Sequence, residues 1–293
     1  MYGEIMKYKV GIIGNGYVGS SIAYGFSSHA DVYAYDIDPN KAVDSFDEVM
    51  DCEFVFICVP TPMNVSNHNK ADLSLVKNVF CEISKHAKNK SKGENIFILK
   101  STIIPNAVQS LCREFSDLEI VFNPEFLREK SARLDFINAS RIVLGGNKKA
   151  CDRVSQLYRS RFPHTPIIST DEVSAEFVKY MCNCFFATKV SFMNEMYQAV
   201  DRLGLNWNDV MSAFISDGRI GNTHIDVPGP DGYMGFGGKC FAKDINAFIN
   251  FFNDCGVKPT VLSAAWKKNL EIREEADWEN IEGAISGNQK EKL

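Results

Sequence analysis

The sequence contains no CxxC pair, no apolar run of membrane-spanning length and no surplus of basic residues. Each absence excludes something. Nine cysteines without paired spacing spell neither a zinc site nor a disulfide framework, and an odd count leaves one over. Cys58 in an apolar strand-like run, and Cys182 and Cys184 within a helical pattern, read as reduced, buried core residues. The expectation is a reducing, cytoplasmic setting with no metal site. A helical span needs ~20 consecutive apolar residues, and the opening MYGEIMKYKVGIIG has no apolar run followed by a cleavage site. Neither a membrane nor a secretory role is expected. Lys and Arg number 32 against 37 Asp and Glu, a formal net charge of −5. That balance argues against nucleic acid as the main partner. No internal repeat appears.

What is present is length and alternation. A chain of 293 residues, 45% hydrophobic and 24% charged, has material for two domains with ordinary cores. Strand-like runs fall at 8–14, 31–36, 53–59, 96–100, 119–123 and 141–146. Helical periodicity lies between several of them: after the glycine loop to about Ser27, over 73–89, and for about ten residues after Pro105. Strand and helix alternating over about 170 residues predict a doubly wound parallel sheet with right-handed crossovers. The pattern then changes. One long helix is predicted from Thr170 to about Leu203, with Thr170 or Asp171 as cap and Gly204 as stop. A shorter helix follows at about 206–216. After a glycine-rich loop at 218–238 come a helix from Cys240 to Cys255, stopped by Gly256, and another from Pro259 to about Glu275. The expected class is therefore α/β, with a Rossmann-like domain over 1–170. An all-helical central domain follows over 171–275, and a frayed polar tail over 276–293.

The first loop, Gly14-Asn15-Gly16-Tyr17-Val18-Gly19, is a GxGxxG set between a predicted strand and a predicted helix, which is the context that gives the motif meaning. Gly14 makes the tight turn, Gly16 lets a pyrophosphate approach, and Gly19 lets helix and strand pack closely. The helix N-terminus faces the phosphates. Asp36 stands at the end of the second strand, 17 residues after Gly19. A carboxylate there accepts ribose hydroxyls and repels a 2′-phosphate, so NAD is favoured over NADP.

At the other end, GFGGKCFAKD places Cys240 at a predicted helix start between Lys239 and Lys243. A helix N-terminus and neighbouring cations both favour the thiolate. Lys243 and Asp244 follow at i+3 and i+4, on the same face. Gly235, Gly237 and Gly238 around Phe236 would let a ligand's phosphates reach bare backbone; the alternative is a structural cysteine at a helix start. On the long helix Lys179, Asn183 and Ala187 share one face amid apolar neighbours. This suits either an oxyanion site or a solvent-facing polar stripe. NPEFLRE (123–129) follows a strand at its C-terminal end, where ligands bind in open parallel sheets. There Glu125 and Glu129 could handle protons, and the backbone of Phe126, Leu127 and Arg128 could hold a substrate. Thr102 in KST (100–102) could offer a hydroxyl near a nicotinamide.

GNGYVG, VPTP (59–62), KST, NPEFLRE, the Lys179/Asn183 helix ending KVSFMNE, DGRIGN (217–222) and GFGGKCFAKD occur in one order. In this the sequence resembles the nucleotide-sugar 6-dehydrogenase family, over nearly all of the chain to about residue 275. NPEFLRE and FGGxCxxKD are the specific elements; the glycine loop is not. The resemblance implies a two-step, NAD-dependent oxidation of a nucleotide sugar, with UDP-glucose to UDP-glucuronate first in line. UDP-N-acetylmannosamine and GDP-mannose are alternatives. It implies Cys240 as nucleophile, Lys179 and Asn183 at the oxyanion, Asp244 beside the thiol, and Thr102 and Glu125 around the hydrolytic water. It adds Tyr17, Val18, Lys41, Thr61, Glu129 and Lys243 to the cofactor site. Arg219, Tyr233, Phe236 and Gly237 join Phe126–Arg128 at the substrate. It further implies a homodimer built on the helix over 171–203. Family members continue into a third domain, a second Rossmann-like unit; about 18 residues follow Glu275 here, so the resemblance is to a short form. Two other readings stay open: a single-step 3-hydroxyacid dehydrogenase, which needs no cysteine, and a non-catalytic relative that binds nucleotide.

Overall fold

The structure, a computed structural model, describes residues 7–87 and 95–287. The chain divides into two compact units, one made of Met1–Thr61 and Leu73–Lys179, the other of Pro62–Asp72 and Tyr180–Leu293.

The first unit opens with β1 (Tyr8–Ile13), α1 (Tyr17–Phe26), β2 (Ala30–Tyr35), α2 (Phe46–Met50) and β3 (Phe54–Ile57). The chain then contributes β4 (Met63–Asn64) and β5 (Lys70–Ala71) to the second unit. It returns with α3 (Ser74–Ala87), β6 (Ile96–Leu99), α4 (Ala107–Glu114) and β7 (Glu119–Phe122), followed by a 3-10 turn and α5 (Ala132–Ile137). β8 (Ile142–Gly146), α6 (Lys148–Arg161) and β9 (Ile167–Thr170) complete it. The seven strands form one sheet in the order β2-β1-β3-β6-β7-β8-β9. The central strands β3 and β6 read as unbroken apolar runs because both faces are covered. Ile96 and Ile98 enter one core cluster, with Phe26, Phe56 and Tyr158, while Phe97 and Leu99 enter the other, with Phe80 and Phe115. The order reverses at β1 and β3, so the C-terminal end of β1 is the switch point where such sheets bind nucleotides.

The all-parallel expectation is corrected at one pairing, and the sheet gains one strand. β7 and β8 pair antiparallel, Val121 opposite Gly146 and Phe122 opposite Gly145, and β9 adds a strand the sequence reading missed. The connection from β7 to β8 carries α5 onto α1, where the Phe136 ring stands 6.0 Å from that of Phe26. A Cβ on Gly25 would overlap the Phe136 ring. The periodicity of a helical connection says nothing about which way the next strand enters. The helix expected over 73–89 is present over Ser74–Ala87; residues 88 and 89 lie outside the described residues.

α7 (Glu172–Arg202) runs from the first unit into the second. Asp171 caps it, its Oδ1 accepting the Ser174 N–H at 2.9 Å. Gly204, with φ +66, lies two residues beyond its end. The second unit continues with α8 (Trp207–Ile215), α9 (Gly238–Asp254), α10 (Thr260–Ile272), a 3-10 turn at Asp277–Glu279 and β10 (Ile285–Ser286). It is not all-helical: β10, β4 and β5 form a small three-stranded sheet. The frayed tail is corrected over 276–287, since Trp278 and Ala284 are buried with Met63 and Ala242, and Met63 N–H donates to the Ala284 carbonyl at 2.8 Å; residues 288–293 lie outside the described residues. The break between units falls at Lys179 rather than near 170. Among the described residues, no helix is long and apolar enough to cross a membrane.

Within the first unit, Glu176 is fully buried and closes the N-terminus of α4, taking the Asn106 N–H at 2.7 Å and the Val108 N–H at 2.8 Å. Burial pushes its carboxyl up to about 7, against those two bonds. A proton held more tightly in the folded state favours folding fully below the unfolded value, about 4.3, and that contribution is lost as pH rises through 7. Urea midpoints of the natural chain and of Glu176→Gln, measured from pH 4 to 8, are expected to show the natural chain losing ground to the variant over that window. A constant difference would reject the assignment.

Candidate active site

The candidate site residues fall in three clusters, two in the first unit and one in the second. The first lies at the end of β1. Gly14 sits at φ +94, where a side chain is disfavoured, and Gly19 has no room for a Cβ because the Gly14 carbonyl is in the way. Gly16 differs. Its φ is −75, its missing Cβ would point into open space, and no side chain caps α1. Open space before a helix N-terminus is what a bound pyrophosphate requires. Asp36 is aimed at the same loop: Oδ2 takes the Asn15 N–H at 2.7 Å and Oδ1 the Asp38 N–H at 2.9 Å. The Lys41 carbonyl takes the Asn15 amide at 2.7 Å, and the Lys41 amine lies 3.3 Å from Asp38. Oδ1 of Asn15 is buried with no donor among the described residues. Val18 packs into the core beneath. Tyr17 and Glu129 line one cavity of about 280 Å³. Thr61 donates to the Thr102 carbonyl at 2.7 Å, which ties the VPTP and KST loops together. These residues fit NAD.

The second cluster surrounds NPEFLRE. Lys179 is 2% exposed, so the solvent-facing stripe is excluded. Its ammonium donates to the Glu125 carbonyl and, at 3.1 Å, to Glu125 Oε1. Glu125 Oε2 takes the Leu127 N–H at 2.6 Å. Lys100 is also buried and donates to Asn123 Oδ1 at 3.1 Å and to the Pro124 carbonyl at 3.4 Å. Burial pulls its amine down to about 8. Asn123 is fixed further by the Tyr158 hydroxyl at 2.5 Å and by donating to the Val143 carbonyl at 2.7 Å. The expectation for the 126–128 backbone is corrected in part. Leu127 N–H is consumed by Glu125, and Arg128 N–H by Asp135 at 2.9 Å, which leaves the Phe126 N–H. The Arg128 side chain forks onto the same Asp135.

The third cluster is the thiol end. α9 begins at Gly238, so Cys240 is its third residue, half-buried, with Lys243 and Asp244 one turn on. Asp244 is 1% exposed. Lys243 donates to its Oδ1 and Asn183 to its Oδ2, the latter at 2.6 Å. Cys184 is buried and Cys58 packs partly buried against the core, and burial pushes both thiols up, whereas Cys182 is only half-buried; none of the nine cysteines is in a disulfide. Arg219 forks onto Asp217, with its side chain 90% exposed. The Tyr233 ring lies 5.3 Å from the Arg273 guanidinium.

The glycines before Cys240 do not all serve a ligand, as the sequence suggests. Gly235 N–H goes to Asn194 Oδ1 at 3.0 Å, and a Cβ there would overlap the Asn269 amide. A Cβ on Gly237 would overlap Arg273 and Asp277. Phe236 is 4% exposed, and both its N–H and its carbonyl pair with Asn269, at 2.7 and 3.0 Å. Phe236 and Gly237 therefore belong to the loop's own packing; only Gly238 faces open space. Asn194, Asn269 and Arg273 were missed. Their one signal is Asn269 and Arg273 at i, i+4.

A GxGxxG-bearing α/β unit and a mainly helical unit are the two parts of a dehydrogenase-like fold. Residues 41–161 match the NAD binding domain of the UDP-glucose/GDP-mannose dehydrogenase family, and residues 173–271 match its central domain. The chain belongs to that family. It is 34% identical over 231 residues to a UDP-glucose 6-dehydrogenase of Rickettsia bellii, covering 77% of this chain and 51% of that protein. A UDP-glucose dehydrogenase structure from Pyrobaculum islandicum superposes with TM-score 0.81 at 27% identity, over 92% of this chain and 70% of that one. A 3-hydroxyisobutyrate dehydrogenase of Mycobacterium tuberculosis shares the fold, with TM-score 0.69 at 17% identity over 91% and 94% of the two chains. The chain spans about half the length of the curated relatives it matches.

Gly16→Val should fold with unchanged thermal stability yet lose NAD binding about tenfold or more by calorimetry, because only the ligand's space is taken. Gly19→Ala should instead lower stability by roughly 1–3 kcal/mol, the range for overpacking. Equal NAD affinity in Gly16→Val would show that the pyrophosphate binds elsewhere.

Proposed function

We propose that this chain carries the catalytic residues for a two-step oxidation of a nucleotide sugar, with UDP-glucose to UDP-glucuronate as the first substrate pair. The observation behind the reading is the thiol end: Cys240 in the first turn of α9, one turn before a buried Lys243–Asp244 pair that is also bound by Asn183. The names of the similar proteins support UDP-glucose.

NAD+, when bound, supplies a hydride acceptor, and the overall reaction consumes two per sugar. Oxidising the primary alcohol to the aldehyde removes one hydride. The aldehyde has no second hydride to give until a nucleophile adds. The Cys240 sulfur bonds to the aldehyde carbon and the carbonyl oxygen takes a proton, giving a thiohemiacetal. Loss of its carbon-bound hydride and hydroxyl proton leaves a thioester. Water then adds to that carbon, the carbon–sulfur bond breaks, and the acid and the thiolate are released. Lys179 and the second N–H of Asn183 are the donors for the oxyanion in these steps. Glu125 and Thr102 position the water. Lys243 pairs with Asp244 one turn along α9 from the thiol. The backbone at Phe126, with Arg219 and Tyr233, binds the substrate.

We also infer a homodimer on the α7 helix. Met181, Phe185 and Phe192 fall on one stripe and are 53%, 63% and 50% exposed. Phe185→Asp is expected to shift the sedimentation coefficient from dimer to monomer.

Two NADH per UDP-glucose, measured at 340 nm against product acid, are expected. Cys240→Ser should stop after the first oxidation and release no acid. One NADH per sugar, insensitive to that substitution, would instead mark a single-step dehydrogenase.

A further inference from the structure

Arg273 follows the last residue of α10, and its side chain is 2% exposed. Its Nη2 lies 2.9 Å from Asp231 Oδ2 and 3.1 Å from Asp277 Oδ2. Its Nε reaches Asp277 Oδ1 and the Glu275 carbonyl, both at 3.2 Å, and its Nη1 the Met234 carbonyl at 3.4 Å. A buried guanidinium needs such a set of acceptors. One of them reaches further: Asp277 Oδ2 also accepts the Gly238 N–H at 3.0 Å. Gly238 opens α9, and Cys240 stands two residues later.

That arrangement poses an electrostatic problem. A carboxylate at a helix N-terminus is a good cap, but its negative charge opposes a thiolate in the same turn. The other charges of that turn are Lys239 and the mutually bound Lys243 and Asp244. From outside α9 come Asp277, Arg273 and Asp231. Arg273 matches the Asp277 charge while leaving its oxygen on Gly238. It also occupies the space that a Cβ on Gly237 would take, so the turn into α9 is moulded on it.

We propose that Arg273 is a positioning residue for Cys240, holding the turn that starts α9 and neutralising the carboxylate that caps it. The inference rests on Cys240 being the nucleophile, but its test does not depend on turnover. In the full chain, alkylation of Cys240 by iodoacetamide is followed at the peptide level by mass spectrometry across pH, because nine cysteines are free. Arg273→Met is expected to slow Cys240 alkylation about tenfold near neutral pH and to move its pH profile up by about one unit, one unit being a tenfold change in thiolate fraction. Asp277→Asn keeps an acceptor for Gly238 and removes the charge. It should move the profile down, and the double variant should return towards the natural chain. Should Arg273→Met fail to fold, Asp277→Asn decides alone: a profile that stays in place overturns the proposal. A folded Arg273→Met with unaltered alkylation does the same. NADH formation is measured in parallel. Shifted profiles in a chain that turns over no nucleotide sugar would reject the redox reading and still support the positioning role.

Discussion

A carboxylate buried to 1% exposure has to be matched, and Asp244 is matched on both oxygens. Leaving such a group unpaired costs several kcal/mol, so Lys243 and Asn183 are held where their bonds to it can form. Asn183 belongs to α7 and the other two to α9, which fixes the register of these helices within the second unit. Cys184, one residue on, adds its weak bond to the Asp244 carbonyl at 3.8 Å. Lys243 and Asp244, one turn along α9 from the thiol, are therefore arranged by the demands of burial itself. A site built this way is ordered before any ligand arrives, and little conformational entropy remains to be lost on binding.

The same logic shapes the NPEFLRE loop in the first unit. Two buried lysines, Lys100 and Lys179, hold the successive carbonyls of Pro124 and Glu125. Each fixes a peptide plane, and the Glu125 carboxylate then folds back onto Leu127. The loop has no regular secondary structure, yet its backbone is pinned as firmly as a helix end. Lys100 also shows the cost of this design, since burial pulls its amine down to about 8. Asn123 shares that cost by accepting from both Lys100 and Tyr158.

Much of this was legible in the residues, and the rest was hidden for identifiable reasons. β1, GNGYVG and α1 were readable because strand, turn and helix each leave a local signature. The ends of α7 and α9 were readable from Asp171, Gly204 and Gly256. The direction of β8 was not, since antiparallel pairing arises from where α5 packs, a tertiary choice. β10 was hidden because two residues carry no periodicity. Lys179 and Asn183 stood out as polar groups in apolar surroundings, and Cys240 as a thiol at a helix start between two lysines, although their partners could not be assigned. The glycines at 235, 237 and 238 were read as room for a ligand because a sequence shows missing side chains but not what fills the gap. At Gly16 the gap is open; at Gly235 and Gly237 it is taken by Asn269 and Arg273.

That distinction has an evolutionary consequence. Gly237 and Arg273 occupy one volume between them, and so do Gly235 and Asn269. A lineage can place a side chain at 237 only after giving up the guanidinium at 273, and losing that guanidinium strands the charges of Asp231 and Asp277. Single steps out of this arrangement all pass through a destabilised intermediate. Residues more than thirty positions apart are thus expected to change together or not at all, and a descendant that lost the arginine would be expected to have lost an aspartate as well.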